Sequence, residues 1–542
     1  MDGILGEVSL WSGVDVGREL SLFSPMLALS ATMLAIVACP LILGRGPRMI
    51  ATVSVLGVLV TLVLTMQVGR AVAGGGASGL STTPEAGLLI ADNLSVAFLL
   101  VLCVFLLGVM LLWWIGSAET ERNAPEFFIL LIGSALGMAL MVSTANLLMI
   151  VAAIETASLP SYAIVGFDKR DRKGAEASLK YMVFGAVCAA IMLYGVSLLY
   201  GLAGSLSVQD IARYAVAQLG GGENRLLLAA ALVCFVAGVA FKISAVPFHF
   251  WCPDAFEGAK IEVTTWLSVA SKAAGLILLA RMVVIFSGAV SSPLAMHILD
   301  PLAWAMGIMA AVTCTVGNFA AYRQTSVKRL LAYSSIAHAG YMLMAAAAFL
   351  HPASLGAESG LAALIAYVVV YVFMNLGAFG VTAMVAWDTG GDGIENFNGL
   401  MRRAPWLAVP MVFCLMSLIG MPIFAGFVAK WWILVALGNV GHTLGWTLTV
   451  VLALNTLFSL YFYMRIVVQM TLRDDGRPMV RASSGGIALV NFCGLALLVL
   501  FFFADPFKQA TDRFSRNLVG PKAAKTATSL LGPSSESSAS SR

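Results

Sequence analysis

Fourteen times the chain runs apolar for about 20 residues: near 22–43, 47–70, 92–115, 125–142, 145–166, 176–203, 225–250, 263–288, 301–322, 326–350, 359–387, 405–438, 443–471 and 485–503. A run of that length is what an α-helix needs to cross the hydrocarbon of a bilayer. Lipid supplies no partner for backbone N–H and C=O groups, so a span must satisfy them internally, as a helix does. The expected fold is therefore all-α and polytopic, with about 14 transmembrane helices. Composition agrees: of the 542 residues 60% are hydrophobic and 11% charged, where soluble domains carry about a quarter charged. A net charge of +4 on so apolar a chain gives no reason to expect nucleic acid or an acidic macromolecule as partner. The lipid bilayer is the expected surrounding.

Loop charges set an orientation. The loops after odd-numbered spans hold sixteen lysines and arginines, including "DKRDRK" (168–173), "RQTSVKR" (323–329) and "RR" (402–403). The opposite loops hold Arg18, Arg70, Arg213 and Arg225. The positive-inside rule makes the rich side cytoplasmic and puts both termini on the non-cytoplasmic side. Six basic residues after 503 oppose this, and seven loops outweigh one tail. The charged residues of 1–21 are mostly acidic, Asp2, Glu7, Asp15 and Glu19 against Arg18, unlike a cleaved signal, so the first helix is expected to remain as an anchor.

Seven of the eight cysteines fall inside apolar runs, and no CxxC or Cys/His cluster has metal spacing. There is no iron–sulfur ligand set or P-loop, and no GxGxxG in a strand–helix setting. No metal or cofactor site is expected here, so electrons and nucleotides would be handled by other chains. The segments between spans are too short for a soluble catalytic domain. "GGGASGLSTTPEAG" (74–87) reads as an external loop, 204–222 as one amphipathic surface helix, and 388–405 as a turn with a short helix.

Two consecutive five-span blocks, 125–288 and 301–471, follow three N-terminal helices in 1–124 and precede a last helix at 485–503 and a Ser-rich tail, 504–542, that reads as disordered. Five is odd, so the second block enters from the opposite face: the blocks are inverted repeats, each with a broken fourth helix carrying a lysine. The breaks are "FKISAVPFH" (241–249) and "SLIGMPIFAGFVAKWWIL" (417–434). Interrupted helices at matching positions of inverted repeats mark ion-pathway sites. Pro247 is expected to free the carbonyl of Ile243, and Pro422 that of Leu418, with water or the nearby Lys242 and His249 satisfying the first.

Ionisable residues well inside spans are few: Glu155, Lys180, Lys242, His249, Lys272, Arg281, His338, Lys430 and Arg465. A lone charge at mid-bilayer costs about 3 kcal/mol on insertion scales, so such residues face the bundle interior and pair. Glu155, the single acid so placed, is expected to pair with Lys242 or Lys180. Arg281 and Arg465 lie nearer helix ends and are expected to snorkel. Lys180 reads equally as an interfacial anchor, and His338 as a hydrogen bond to a neighbouring helix. Glu155, Lys242, Lys272 and Lys430 are deeper and suggest a proton relay. Burial favours the neutral form of an amine or carboxyl and an opposite charge the ionised form, so a partner that moves can load and unload a proton.

"IETASLPSYAIVGFDKRDRKGAEASLKYMVFGA" (154–186), "FKISAVPFHFWCPDAFEGA" (241–259), "SVASKAAG" (268–275), "RQTSVKRLLAYSSIAHAGYM" (323–342) and "AGFVAK" (425–430) closely resemble the subunit N family of bacterial proton-pumping NADH:quinone oxidoreductase, respiratory complex I. Its mitochondrial counterpart is NADH dehydrogenase subunit 2. The resemblance runs from about residue 20 to 505. It implies an antiporter-like subunit of fourteen helices in the bacterial plasma (inner) membrane, beside other membrane subunits of complex I including antiporter-like neighbours. It implies that Glu155, Lys242, Lys272 and Lys430 carry protons, and that Lys180, His249, Tyr333 and His338 occupy positions associated with the channel. FMN, iron–sulfur clusters, NADH and quinone would be bound by other subunits. The sister subunit M typically carries Glu where Lys430 stands, and L adds a long lateral helix. One departure is "EGAKIEVTTW" (257–266), which replaces a more usual "GAPTPVT" stretch and adds Lys260 and Glu262 at the cytoplasmic mouth. The competing readings are a subunit of a multi-subunit cation/proton antiporter or membrane-bound hydrogenase-type complex, and a spacer whose charges only lock helices.

Overall fold

The computed structural model describes residues 16–516 apart from 43, 45, 74–87, 118–122, 220–221, 290–295, 352–358 and 474–475. A short lead-in helix, Val16–Leu22, precedes α1 (Ser24–Ile42), α2 (Pro47–Ala73) and α3 (Asn93–Ser117). The first block is α4 (Ala124–Val142), α5 (Leu147–Val165), α6 (Arg172–Ala203), the amphipathic α7 (Val208–Leu219), α8 (Arg225–Ile243), α9 (Trp251–Gly258) and α10 (Ile261–Ala289). The second is α11 (Met296–Ala321), α12 (Val327–Leu350), α13 (Ser359–Thr389), α14 (Pro405–Ile419), α15 (Ala425–Val440) and α16 (Thr443–Leu472), followed by α17 (Ser484–Phe502) and α18 (Ala504–Arg516). Among the described residues thirteen helices are long and apolar enough to cross a membrane singly. α14 and α15 are shorter and complete a fourteenth crossing end to end.

Surface segments follow their patterning. α7 buries Val208, Ile211, Ala212 and Ala215, one helical stripe. The 388–405 segment forms a 3-10 turn, Ile394–Phe397, and a helical turn, Leu400–Arg403. The tail departs from expectation: 504–516 is helical, because Phe507 packs on Trp432 at 5.6 Å and Thr511 and Ser515 are buried. The loop 74–87 and the tail 517–542 lie outside the described residues.

The two blocks are built alike. Asn146 and Ser326 cap α5 and α12, their side chains accepting N–H bonds from the first turn. Each cap also forms a single antiparallel bridge to the residue four past the end of the third helix of its block, Ser207 or Gly393. The flanking bonds match: Leu147 N–H to Leu206 C=O and Val208 N–H to Ala145 C=O in one, Val327 N–H to Asp392 C=O and Ile394 N–H to Thr325 C=O in the other. The first two helices of each block cross where one is glycine: a Cβ on Gly137 would lie 2.2 Å from Ala157 N, and one on Gly317 2.6 Å from Ala337 N. Cap and crossing recur at one constant interval, and at that interval Glu155 corresponds to Ser335.

The interior belongs to α12 and α13, whose apolar windows are 94% and 89% buried, against 33% for α6. α6 turns Leu179, Val183 and Val187 outward, as a helix facing lipid or another subunit does.

Arg281 does not snorkel. It is buried on α10 and forks onto Asp92, just before α3, with two contacts of 2.8 Å, while its Nε donates to Val142 C=O at the end of α4. Burial alone would push the Asp92 carboxyl up, but the guanidinium charge and the hydrogen bonds from Arg281 and Ser95 hold it below its ordinary value. Arg465 likewise donates to the carbonyls of Tyr322 and Gln324, capping the end of α11.

Because the folded value of Asp92 is depressed, the pair's contribution is present above the ordinary carboxylate value of about 3.9 and is lost as pH falls through the folded value. Arg281→Met strands a buried carboxylate and should cost about 3–5 kcal/mol. The check is the unfolding temperature in detergent: it should drop for the single variant and recover in part for Asp92→Asn/Arg281→Met.

Candidate functional site

The site is assembled from the two broken helices and the helices packed on them. α8 stops at Ile243 because Ser244 takes a left-handed conformation, φ 64°, and its N–H turns back to Phe241 C=O. Ser244 thus precedes Pro247 by three residues; the Val246–Pro247 peptide is cis. The proline is outside the helix, so it is not what frees the carbonyls. The end of α8 is tied down by side chains: Trp251 Nε1 donates to Phe241 C=O at 3.0 Å and Ser271 Oγ to Lys242 C=O at 3.2 Å. His249, expected to serve here, does not: it is buried against Phe250, and its Nδ1 has no partner among the described residues.

The second break is satisfied differently. α14 ends at Gly420, φ 87°. The Lys430 ammonium reaches back from α15 to donate to Leu418 C=O at 3.1 Å and Ile419 C=O at 2.8 Å. The carbonyl of Leu418 is indeed free of the helix, and the lysine is its partner. A cation at a helix C-terminus is also favoured by the helix dipole. Gly426 permits the close approach, since a Cβ there would lie 1.8 Å from Ser417 O. The two lysines therefore sit on opposite halves of their broken helices, Lys242 before its break and Lys430 after.

Lys242 is 1% exposed, and among the described residues its Nζ has no hydrogen-bond partner. Glu155, half-buried on α5, is near enough for the two charges to act on each other, without a direct ion pair. The alternative partner, Lys180, is elsewhere: it is exposed on α6 and bridges Glu176 at 2.8 Å and Asp254 at 3.1 Å. Asp254 also holds Arg329 at 3.0 Å, so Lys180 belongs to a charged network at the lysine- and arginine-rich end. Tyr333 is half-buried on α12, and among the described residues its hydroxyl bonds to none of the row.

Lys272 is fully buried on α10. Its Nζ contacts Cys252 Sγ at 3.4 Å and stands over the rings of Phe256 at 4.7 Å and Trp251 at 5.7 Å. Cys252 Sγ is 3.9 Å from Ser335 Oγ on α12. One turn on, His338 is held between the hydroxyls of Tyr367, 2.7 Å from Nδ1, and Tyr463, 3.2 Å from Nε2. Tyr371 stacks on the imidazole at 5.3 Å and Tyr341 meets it edge-on at 5.5 Å. The Lys430 ammonium lies 4.7 Å above the Tyr341 ring. Asn318 Nδ2 donates to Tyr341 Oη at 3.0 Å and to Asn455 Oδ1 at 2.9 Å.

The structure thus brings the half-buried Glu155 and the buried Lys242, Lys272, His338 and Lys430 into one row and leaves Lys180 and Tyr333 beside it. Cys252, the four tyrosines and the two asparagines carry no charge, and their signal is weaker: polar groups inside spans, with Tyr367 and Tyr371 one turn apart, and a cysteine just past the first break. The departure at 257–266 puts Glu262 inside, 2% exposed, accepting from Ser117 Oγ at 3.0 Å. Beside it Asp168, Asp171, Lys260 and Lys328 line a polar cavity of about 210 Å³.

Residues 144–456, which include all five members of the row, match the NADH:quinone oxidoreductase/Mrp antiporter transmembrane family. The chain belongs to that family. A relative from Sorangium cellulosum (strain So ce56), named NADH-quinone oxidoreductase subunit N 2, is 38% identical over 502 residues, 89% of this chain and 94% of its own. That places the chain in the subunit N branch. The fold is similar to a chain of respiratory complex I from Thermus thermophilus with bound aureothin, TM-score 0.71 at 29% identity over 89% of this chain and 98% of that one. A chain of the Mrp complex from Dietzia sp. DQ12-45-1b shares the fold, TM-score 0.79 at 19% identity over 95% and 100%.

The lysines differ in what their removal leaves behind. Lys430→Met strands two buried carbonyls and should lower stability by about 1–3 kcal/mol, whereas Lys242→Met breaks no hydrogen bond and should leave it unchanged or raised. Thermal unfolding of the two variants side by side checks the contrast.

Proposed function

We propose that this chain is a proton-translocating, non-redox membrane subunit of a bacterial NADH:quinone oxidoreductase. NADH, FMN, iron–sulfur clusters and quinone are bound by other subunits. The chain lies in the plasma (inner) membrane among other membrane subunits, antiporter-like ones included. Its lysine- and arginine-rich end faces the cytoplasm, and both termini lie on the other side.

The observation that carries this reading is the row of half-buried Glu155 and buried Lys242, Lys272, His338 and Lys430, which connects two helix breaks. A static ion pair would need Lys242 and Glu155 in contact. Instead the ammonium is buried without a hydrogen bond, and orphan polar groups at membrane depth are tolerated where they line a hydrated path. A shift of Glu155 toward Lys242 favours the charged lysine and a shift away favours its deprotonation, so movement in a neighbouring subunit can drive a proton along the row. Lys272, Cys252, Ser335 and His338 continue that row from the first block into the second. The antiporter reading shares the fold but has less behind it: similarity to the Mrp chain stands at 19% identity, against 38% for the subunit N relative.

Lys242→Ala and Glu155→Ala should each lower proton translocation and coupled quinone reduction several-fold while the complex still assembles. The measurement is acidification of inverted membrane vesicles followed with a pH-sensitive dye, alongside a native gel. Normal pumping by an assembled Lys242→Ala complex would make the charges structural and overturn the relay.

A further inference from the structure

We infer that Cys252 is a positioning residue that holds the Lys272 ammonium at the seam between the two five-helix blocks, facing Ser335. This rests on the relay reading above and adds a residue to it. An ammonium has three N–H donors to satisfy. Among the described residues the single hydrogen bond made by the Lys272 side chain is the one to Cys252 Sγ at 3.4 Å, the rest of its surroundings being the faces of Phe256 and Trp251.

Three lysines on one row are thus held to three degrees: Lys430 by two carbonyls, Lys272 by a sulfur, Lys242 by no hydrogen bond. A thiol is a weak acceptor and a weak donor. It can fix the position of an ammonium without gripping it as carbonyls do.

Cys252 also stands at the crossing point. It is the second residue of α9, just after the first break, and its N–H donates to His249 C=O at 3.0 Å. The sulfur so placed reaches Lys272 on α10 and, at 3.9 Å, Ser335 on α12. Ser335 holds the second-block position that Glu155 holds in the first, one turn before His338. A thiol accepting from Lys272 can present its S–H to Ser335 Oγ, and a hydroxyl could do the same. An alkyl group could not.

The test is a substitution series in the whole complex in native membranes. Cys252→Thr and Cys252→Val differ in one hydroxyl at nearly equal volume; Cys252→Ser and Cys252→Ala repeat the comparison without added bulk, should the larger pair fail to assemble. The expected result is that Thr and Ser keep most of the wild-type proton translocation, and Val and Ala lose it several-fold at equal assembly. Equal activity within a pair, whether both high or both low, overturns the positioning role. Lys272→Met separates this from the broader reading. If it pumps normally, the relay itself falls; if it fails while the Cys252 pairs are alike, the relay stands without Cys252.

Discussion

An unpaired backbone carbonyl in hydrocarbon costs several kcal/mol, and the arrangement of this molecule follows from how its two helix breaks meet that cost. At the first break, Trp251 and Ser271 supply the donors, so Lys242 is left without a hydrogen bond. At the second, the donor is the Lys430 ammonium itself. One break thus leaves its lysine unbonded and the other makes its lysine a structural cap. The same element, used twice in inverted blocks, yields two sites of different character.

Between them, beyond the Lys272 ammonium and its Cys252 thiol, lie groups that can both donate and accept. His338 sits between two tyrosine hydroxyls, either of which can donate or accept depending on the imidazole tautomer. Lys430 stands over the Tyr341 ring, the same ring that His338 meets edge-on. The tight ion pairs are elsewhere: Arg281 with Asp92 behind the first block, and Lys180 and Arg329 with Asp254 at the charged end. The tight pairs lie off the route; along it Lys242 is held by no hydrogen bond, Lys272 by one sulfur and Lys430 by two carbonyls.

Much of this was legible in the sequence because hydrocarbon imposes coarse, one-dimensional signals. Apolar length marked the spans, and Gly and Pro the neighbourhoods of the broken helices. Glu155, Lys242, Lys272 and Lys430 stood out because charge at depth is rare. What stayed hidden depends on local geometry. Ser244, not Pro247, ends α8, because a left-handed residue can stop a helix before a proline reaches it. Arg281 lay too near a helix end to look buried, and its partner Asp92 is nearly two hundred residues away. Lys180 looked like a partner for Glu155 and faces outward instead. Residues 504–516 looked like part of a polar tail, and their few apolar side chains are enough to dock a helix on the bundle.

The central claim is that Glu155 and Lys242 form a pair whose separation changes as protons move. Infrared difference spectra of the complex between rest and turnover test it most directly through the carboxyl stretching region. The account predicts a band that reports a change at Glu155, absent in Glu155→Gln and displaced in Lys242→Met. A turnover spectrum unaltered by either substitution, in a complex that still pumps, would contradict it.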